Sequence, residues 1–250
     1  MKLSIIIPVY NEEKTISIVL DKVLKLELPR ITKEIIVVDD GSTDSTFSMI
    51  KDHPSISLRT RGSTPIKSES KIKILKHLKN KGKGAAVKTG IKNATGDYVI
   101  IQDADLEYDP KYIKDLIIPI EKGVAKVVYG TRLKRKPNLK GEEKTSQFLL
   151  HYLGNRFLSL VTSILYGQWI TDMETCYKLF PRNAMLKIKL NARGFELEPE
   201  ITSKLLKTGY KIYELPITAI PRGYSEGKKL NTFRDGFKAF WFLLKYRFTD

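Results

Sequence analysis

The sequence contains one cysteine, Cys176, among its 250 residues. A single thiol excludes a disulfide within the chain and is typical of proteins from a reducing compartment. A signal peptide is also missing from the pattern, because Met1 and Lys2 lead directly into a strand-like run at residues 3–9. These two absences predict a cytoplasmic protein.

Long apolar runs and acidic residues are scarce as well. The longest run without a charge, residues 157–171, is shorter than the ~20 apolar residues that a membrane-spanning helix needs. Aspartate and glutamate number 28 against 44 lysines and arginines, which gives a net charge of +16. Such a balance suits an anionic partner, whether nucleic acid, an acidic membrane surface or a phosphorylated substrate. If the partner is a membrane, we expect the protein to lie on its surface.

Strand and helix patterns alternate through the first half of the chain. The length of 250 residues is sufficient for one large domain. Buried strands are predicted at residues 3–8, 34–39, 73–75 and 98–102, and helices at residues 12–26 and 84–94. A further short helix is predicted after a cap at Thr43 or Asp44. This alternation predicts an α/β fold with a doubly wound, mostly parallel sheet and helices on both faces.

A basic segment and two amphipathic helices stand outside that alternation. Residues 51–83 contain many lysines and arginines but only Asp52 and Glu69 as acids, which predicts a solvated basic loop over much of the stretch. Residues 145–167 predict a helix with a wide apolar face and a polar stripe at His151, Asn155 and Ser159. Residues 230–250 predict a second such helix, rich in aromatic and basic residues. It either packs on the core or lies in a membrane interface.

Acidic side chains follow three of the predicted strands. Glu12 follows the first, Asp39 ends the second, and Asp103 and Asp105 follow the fourth. The carboxyl ends of parallel strands meet at one edge of a sheet, where open α/β proteins bind their ligands. A lone Asp-x-Asp is more often a solvated turn, but this convergence indicates a Mg²⁺ or Mn²⁺ site that also holds a diphosphate.

Four motifs occur in order along the chain: IIIPVYNE at residues 5–12, VVDDGSTD at 37–44, NKGKG at 80–84 and DADL at 103–106. The third lacks the Gly-Lys-Ser/Thr ending of a nucleoside triphosphatase loop, which excludes that class. Together with GTR at 130–132, TDMETCYK at 171–178, GFE at 194–196 and the basic residues 222–229, these motifs resemble glycosyltransferase family 2, which has the GT-A fold. Within that family, the chain is similar to the dolichyl- or polyprenyl-phosphate mannose and glucose synthases.

The resemblance implies a role for each matching residue. The implied metal ligands are Asp103, Asp105 and Glu107, the last at a position where mannose synthases often have glutamine. Arg132 matches an arginine near the acceptor phosphate, and Arg156 is a second candidate there. With Asp105 and Arg132, Arg222 completes the implied catalytic set. The implied nucleotide-sugar-binding residues are Pro8, Tyr10, Glu12, Asp39, Asp40, Asp103, Ala104, Asp105, Arg222, Lys228 and Lys229.

The activity that the resemblance implies is an inverting transfer of mannose or glucose. The donor would be GDP-mannose or UDP-glucose, and the acceptor a dolichyl or polyprenyl phosphate at the cytoplasmic membrane face. Residues 1–229 would form the catalytic domain, with residues 230–250 as an appended helix. Whether a membrane-spanning subunit anchors the chain stays open.

Two rival functions remain at the level of sequence. In the first, the acceptor is a glycan or lipid hydroxyl, which needs a protein base, and Asp172 or Glu174 would supply it. A phosphate acceptor is already anionic and needs no such base. The second rival is a basic nucleic-acid-binding protein. We expect no nucleic-acid partner, because no signature of a nucleic-acid-binding module is present.

Overall fold

The computed structural model describes residues 1–57, 71–133, 146–220 and 232–249, and its centre is one mixed β-sheet. The strands of this sheet are β1 (Lys2–Val9), β2 (Thr32–Asp39), β3 (Lys71–Lys76), β4 (Tyr98–Ile101), β5 (Val127–Thr131), β6 (Lys178–Pro181) and β7 (Ile212–Pro216). They lie in the order β3-β2-β1-β4-β6-β5-β7. Neighbouring strands are parallel, except that β6 runs antiparallel to β4 and β5. The predicted α/β class and mostly parallel sheet are confirmed.

Helices pack on both faces of the sheet, also as predicted. In chain order they are α1 (Ile16–Lys25), α2 (Thr46–Lys51), α3 (Pro54–Ser57), α4 (Lys83–Asn93), α5 (Tyr112–Glu121), α6 (Ser146–Tyr166), α7 (Arg182–Lys187), α8 (Leu197–Lys207) and α9 (Thr232–Phe248). One core contains residues of α1 and α5, and the other contains residues of α4, α6, α8 and α9. Ile5 and Ile7 of β1 point into the first core and Ile6 into the second, because successive strand residues face opposite sides.

Two predictions about the elements need correction. The helix expected from residue 12 begins at Ile16, because the chain turns first and Asn11 has a φ of 50°. The basic segment, expected to be a loop over much of its length, contains the short helix α3. Its strand β3 confirms the strand predicted at residues 73–75, and residues 58–70 lie outside the described part of the chain. In the described ranges, no helix has both the length and the apolar character that crossing a bilayer requires.

Candidate active site

The segments that follow β1, β2 and β4 meet at one edge of the sheet. Val9 pairs with Asp39 and Ile6 pairs with Ile101, so the three strands end side by side. A cavity of about 510 Å³ lies at this edge. The predicted residues that line it are Pro8, Tyr10, Glu12, Asp40, Asp103, Ala104, Asp105, Glu107 and Arg132.

Asp103, the first carboxylate of the DADL motif, is held by a lysine. Lys83 Nζ lies 2.9 Å from Asp103 Oδ1 and 3.0 Å from Oδ2. Burial alone would raise the pKa of Asp103, but Lys83, a hydrogen bond with Cys176 and the charge of Lys178 together outweigh burial, so the pKa is lowered. Asp103 is therefore ionised, and Lys83 fixes its orientation at the base of the cavity.

Asp105, the second carboxylate, lies in an excess of negative charge. Burial, together with the negative charges of Asp103 and Glu107, raises its pKa to about 7, and Lys83 opposes this rise only in part. The backbone N–H of Glu107 donates to Asp105 Oδ1 at 3.0 Å. Between them, Leu106 has a φ of 64°, a left-handed conformation that is unfavourable for leucine and that is found at functional sites.

A divalent cation fits this crowding of carboxylates, because it would supply the missing positive charge. Within the described ranges, no three side chains of histidine, cysteine, aspartate or glutamate are gathered so that they hold a metal by themselves. Mg²⁺ typically takes only one or two carboxylates and completes its shell with water and phosphate oxygens. Asp105 and Glu107 suit that mode, whereas Asp103 already shares its charge with Lys83.

Asp39 lies deeper than the cavity lining. Its side chain is fully buried, and its Oδ1 accepts the Ser42 N–H at 3.2 Å. Its Oδ2 is buried without a hydrogen-bond partner among the described residues. Buried carboxylate oxygens are almost always paired, so this atom is suited to a donor that arrives with a ligand.

Asp40 holds the loop that carries Lys83. Its carboxylate accepts the backbone N–H of Lys81 at 3.1 Å and of Gly82 at 2.7 Å, and His77 Nδ1 lies 2.6 Å away. Gly82 has a φ of 93°, and a Cβ there would come within 2.2 Å of a backbone oxygen. These contacts give Asp40 a positioning role, which the prediction of a donor contact did not include.

Arg132 and Asp172 form a bidentate ion pair at the far side of the cavity. Arg132 Nε and Nη2 each donate to an Asp172 oxygen at 2.8 Å, and the Arg132 N–H donates at 2.9 Å. Asp172 is fully buried, and Arg132 lowers its pKa against the opposing effect of burial. Asp172 is thus a poor base, because its oxygens are occupied and its pKa is low. Its place in the structure is to orient Arg132.

Glu174, the other candidate base, lines the cavity. Burial raises its pKa to about 7, with Glu198 adding to the rise and Lys178 opposing it. Glu174 Oε1 has no hydrogen-bond partner among the described residues. This carboxyl group has the pKa and exposure to the cavity that a general base requires.

Sequence reasoning missed a largely buried ionic network at the cavity wall, where Lys83 and Glu198 are lining residues. Glu198 of α8 lies 3.4 Å from Lys83 Nζ and 2.6 Å from Lys178 Nζ. The network connects the first residue of α4, the strand β6 and the helix α8. Its sequence signal was Lys178 beside apolar residues, because a buried ammonium needs acceptors, which Glu198 and the Met173 carbonyl oxygen supply here.

Several predicted residues are not brought to the cavity. Arg156 is exposed on α6, where its Nε donates to Tyr152 Oη at 3.3 Å, and it is not among the residues that line the cavity. The reason is helical periodicity, since the α6 residues that line the cavity are His151, Gly154, Asn155 and Leu158. Arg222, Lys228 and Lys229 lie outside the described residues, and their roles stay predictions.

Comparisons with curated proteins place the chain among glycosyltransferases. It is 32% identical over 245 residues to the UDP-N-acetylglucosamine–dolichyl-phosphate N-acetylglucosaminyltransferase of Methanococcus voltae, with 96% of this chain and 94% of that protein covered. It is 29% identical to the dolichol-phosphate mannosyltransferase of Pyrococcus furiosus, over 91% of this chain and 59% of that protein.

A solved structure shows the same fold. Glucosyl-3-phosphoglycerate synthase from Mycobacterium tuberculosis, crystallised with Mn²⁺, UDP and phosphoglyceric acid, matches with a TM-score of 0.68 at 18% identity. The match covers all of this chain and 79% of that one, and it confirms the predicted GT-A fold. Residues 4–188 also match the family model described as glycosyl transferase family 2. The chain belongs to glycosyltransferase family 2.

Proposed function

We propose that this protein transfers one sugar from a nucleotide-diphosphate sugar to a polyprenyl phosphate, with inversion at the anomeric carbon. The observation that carries the proposal is that the carboxylates of the DADL motif and the Arg132 guanidinium line one cavity. The carboxylates suit a metal-bound diphosphate, and the guanidinium suits a phosphate monoester. The activities for which the two dolichyl-phosphate relatives are named support the same pair of substrates.

At the donor end, the chain binds and orients the nucleotide. Pro8 and Tyr10 line the cavity next to Glu12, and the unpaired Asp39 Oδ2 is suited to accept a hydrogen bond from the base or ribose. When bound at Asp105 and Glu107, Mg²⁺ or Mn²⁺ would neutralise negative charge on the departing diphosphate.

At the acceptor end, Arg132 positions the attacking phosphate. Its guanidinium is pinned by Asp172, so little side-chain freedom is lost when a phosphate binds. A phosphate oxygen is already anionic near neutral pH, and it needs orientation rather than deprotonation. The buried pairing of Asp172 agrees with an acceptor of this kind.

Exposed apolar side chains on the outer faces of α6 and α9 support a location at the membrane. Large apolar side chains are strongly exposed there, among them Leu153, Phe157, Ile164, Phe237 and Trp241. Exposed aromatic residues with nearby basic side chains are typical of interfacial helices. We propose that these faces rest on an anionic membrane surface, which would bring the cavity next to its lipid substrate.

A transfer assay tests the proposal directly. Radiolabelled UDP-N-acetylglucosamine, UDP-glucose and GDP-mannose would each be paired with dolichyl and undecaprenyl phosphate, with Mg²⁺ or Mn²⁺ present. We expect label in the organic phase with one donor, and none when the metal is chelated. If no pairing yields lipid-linked label, the proposal is wrong.

A second candidate acceptor is a hydroxyl group, and Glu174 favours it. This carboxyl lines the cavity, has a pKa of about 7 and is not fully hydrogen-bonded within the described residues. Glu174→Gln separates the two acceptors. The variant should retain transfer to a lipid phosphate, whereas loss of transfer in a folded, donor-binding protein would favour the hydroxyl acceptor.

A further inference from the structure

We propose that the isoprenoid chain of the acceptor leaves the cavity through a slot between α6 and α9. The slot is defined by Gly154 and Leu158 of α6 and by Gly236 and Ala239 of α9. This inference rests on the proposed function, because it assigns a path to the tail of the lipid phosphate whose head is at Arg132.

The slot opens from one wall of the cavity that also contains Asp105 and Arg132. All four residues that define the slot line this cavity. Leu158 and Ala239 are nearly fully buried, and their hydrocarbon side chains make this wall apolar. A ligand with an anionic head and an apolar tail matches both ends of this cavity.

The two glycines leave open space where the helices meet the cavity. A Cβ atom built at Gly154 or at Gly236 would meet no described atom within 4 Å. Glycine is unfavourable within a helix compared with alanine, so helix stability does not explain either residue. A chain passing between the helices would use the space that both positions keep free.

The outer rim of the slot is apolar. Leu153 and Phe157 flank it on α6 with 62% and 55% of their surface exposed, and Phe237 and Trp241 flank it on α9 with 72% and 58% exposed. An isoprenoid tail that emerges here meets apolar surface at once. A peptide helix docking on this rim would leave the cavity behind it unfilled, which favours the lipid tail as occupant.

The test uses the full chain and two acceptors of different length. Gly154→Leu and Gly236→Leu would fill the slot, and Gly154→Ala and Gly236→Ala are the small controls. Lys25→Leu places the same side chain on the exposed face of α1, away from the cavity lining and from α6 and α9. Transfer to undecaprenyl phosphate and to citronellyl phosphate is measured as kcat/KM. UDP binding and thermal melting report on the donor site and the fold.

We expect the leucine variants to lose about tenfold in kcat/KM for undecaprenyl phosphate, the factor that roughly two buried methylene groups contribute. These variants should keep the wild-type kcat/KM for citronellyl phosphate and the wild-type UDP affinity. The three control variants should match the wild type in every measurement. Equal losses with both acceptors, or no loss with either, would overturn the slot while leaving the proposed function intact. Because the glycines lie on different helices, a variant that does not fold leaves the other to decide. If the wild type uses neither phosphate, the proposed function and the slot fall together.

Discussion

Helices α1 and α6 bury opposite kinds of surface. Helix α1 buries Ile16, Val19 and Val23 against the sheet, as its apolar spacing predicts. Helix α6 buries Asn155 and leaves Ile164 73% exposed. The comparison teaches that apolar periodicity identifies a helix but does not decide which of its faces the protein interior takes.

The polar face of α6 is buried because the neighbouring loop satisfies it. Ser159 Oγ accepts the Met173 N–H at 3.0 Å, and Ser163 Oγ accepts the Ile170 N–H at 3.0 Å. Burying polar groups costs little when they are hydrogen-bonded. Leu158 also packs in the core, but Leu160 and Ile164 stay exposed, and these are among the side chains that we propose to rest on a membrane. The predictions below probe each side of this contrast.

The largest effect is expected at the sheet edge, in the region that folds as its pattern predicts. Asp105→Asn removes the charge that would hold the metal and keeps the side-chain size. Transfer should fall by more than about a hundredfold while the melting temperature holds. Asp109→Asn is the matched control, because this acid of the same loop pairs with Lys22 and does not line the cavity. Retention of a tenth of the activity, with metal still required, would contradict the assignment.

A smaller effect, on both activity and stability, is expected at Arg132. Arg132→Ala should weaken the use of the lipid phosphate without changing the donor KM. It should also lower the stability by roughly 3–5 kcal/mol, because Asp172 is left buried without its partner. Adding Asp172→Asn should restore the melting temperature but not transfer. A double variant with wild-type acceptor kinetics would remove Arg132 from the acceptor site.

Next in size is the exposed face of α9. Phe237→Ser and Trp241→Ser should each reduce sedimentation with anionic liposomes by about tenfold, since each variant loses an aromatic side chain that would be buried in the bilayer. Neither should change the melting temperature. Ile18→Ser, at a half-exposed site on α1, is the control for removing an apolar side chain. Unchanged sedimentation of both α9 variants would mean that this face does not touch the bilayer.

On the buried face of α9, a substitution should change stability rather than liposome binding. Leu243 is fully buried, so Leu243→Ala should lower stability by about 2–5 kcal/mol and leave liposome binding unchanged. The two predicted interpretations of this helix, packing and interfacial, thus concern different faces of it. Deleting residues 231–250 would disturb both faces at once and would not distinguish them.

The smallest effect is a pH dependence that Glu174 imposes. Its pKa is raised to about 7 in the folded protein, so the folded state binds this proton more tightly than the unfolded chain does. Stability should therefore fall as the pH rises from about 4.5 to 7, which thermal melting would show as a decrease of a few degrees. Glu174→Gln should flatten the curve over this window, and an unchanged slope would contradict the assigned pKa.

The sheet edge was predictable because the sequence carries it locally. β-branched runs followed by acids mark where parallel strands end, and the ends of parallel strands must meet. Asp103 and Asp105 were found in this way. The partner of Asp103 was not, because Lys83 lies twenty residues earlier in the chain, at the start of α4. Sequence spacing does not show which buried charges will pair.

The sequence by itself determined the α/β class, the alternation of strands and helices, the family and the clustering of its motifs at one edge, because these follow from local periodicity and strand direction. Only the tertiary structure decided that Asp40 holds a loop, that Asp172 orients Arg132, and that Arg156 points away from the cavity. It also turned α6 so that the polar side chains face inward. Each of these depends on hydrogen bonds and ion pairs between distant segments, whose free energy depends on burial and geometry that no local pattern encodes.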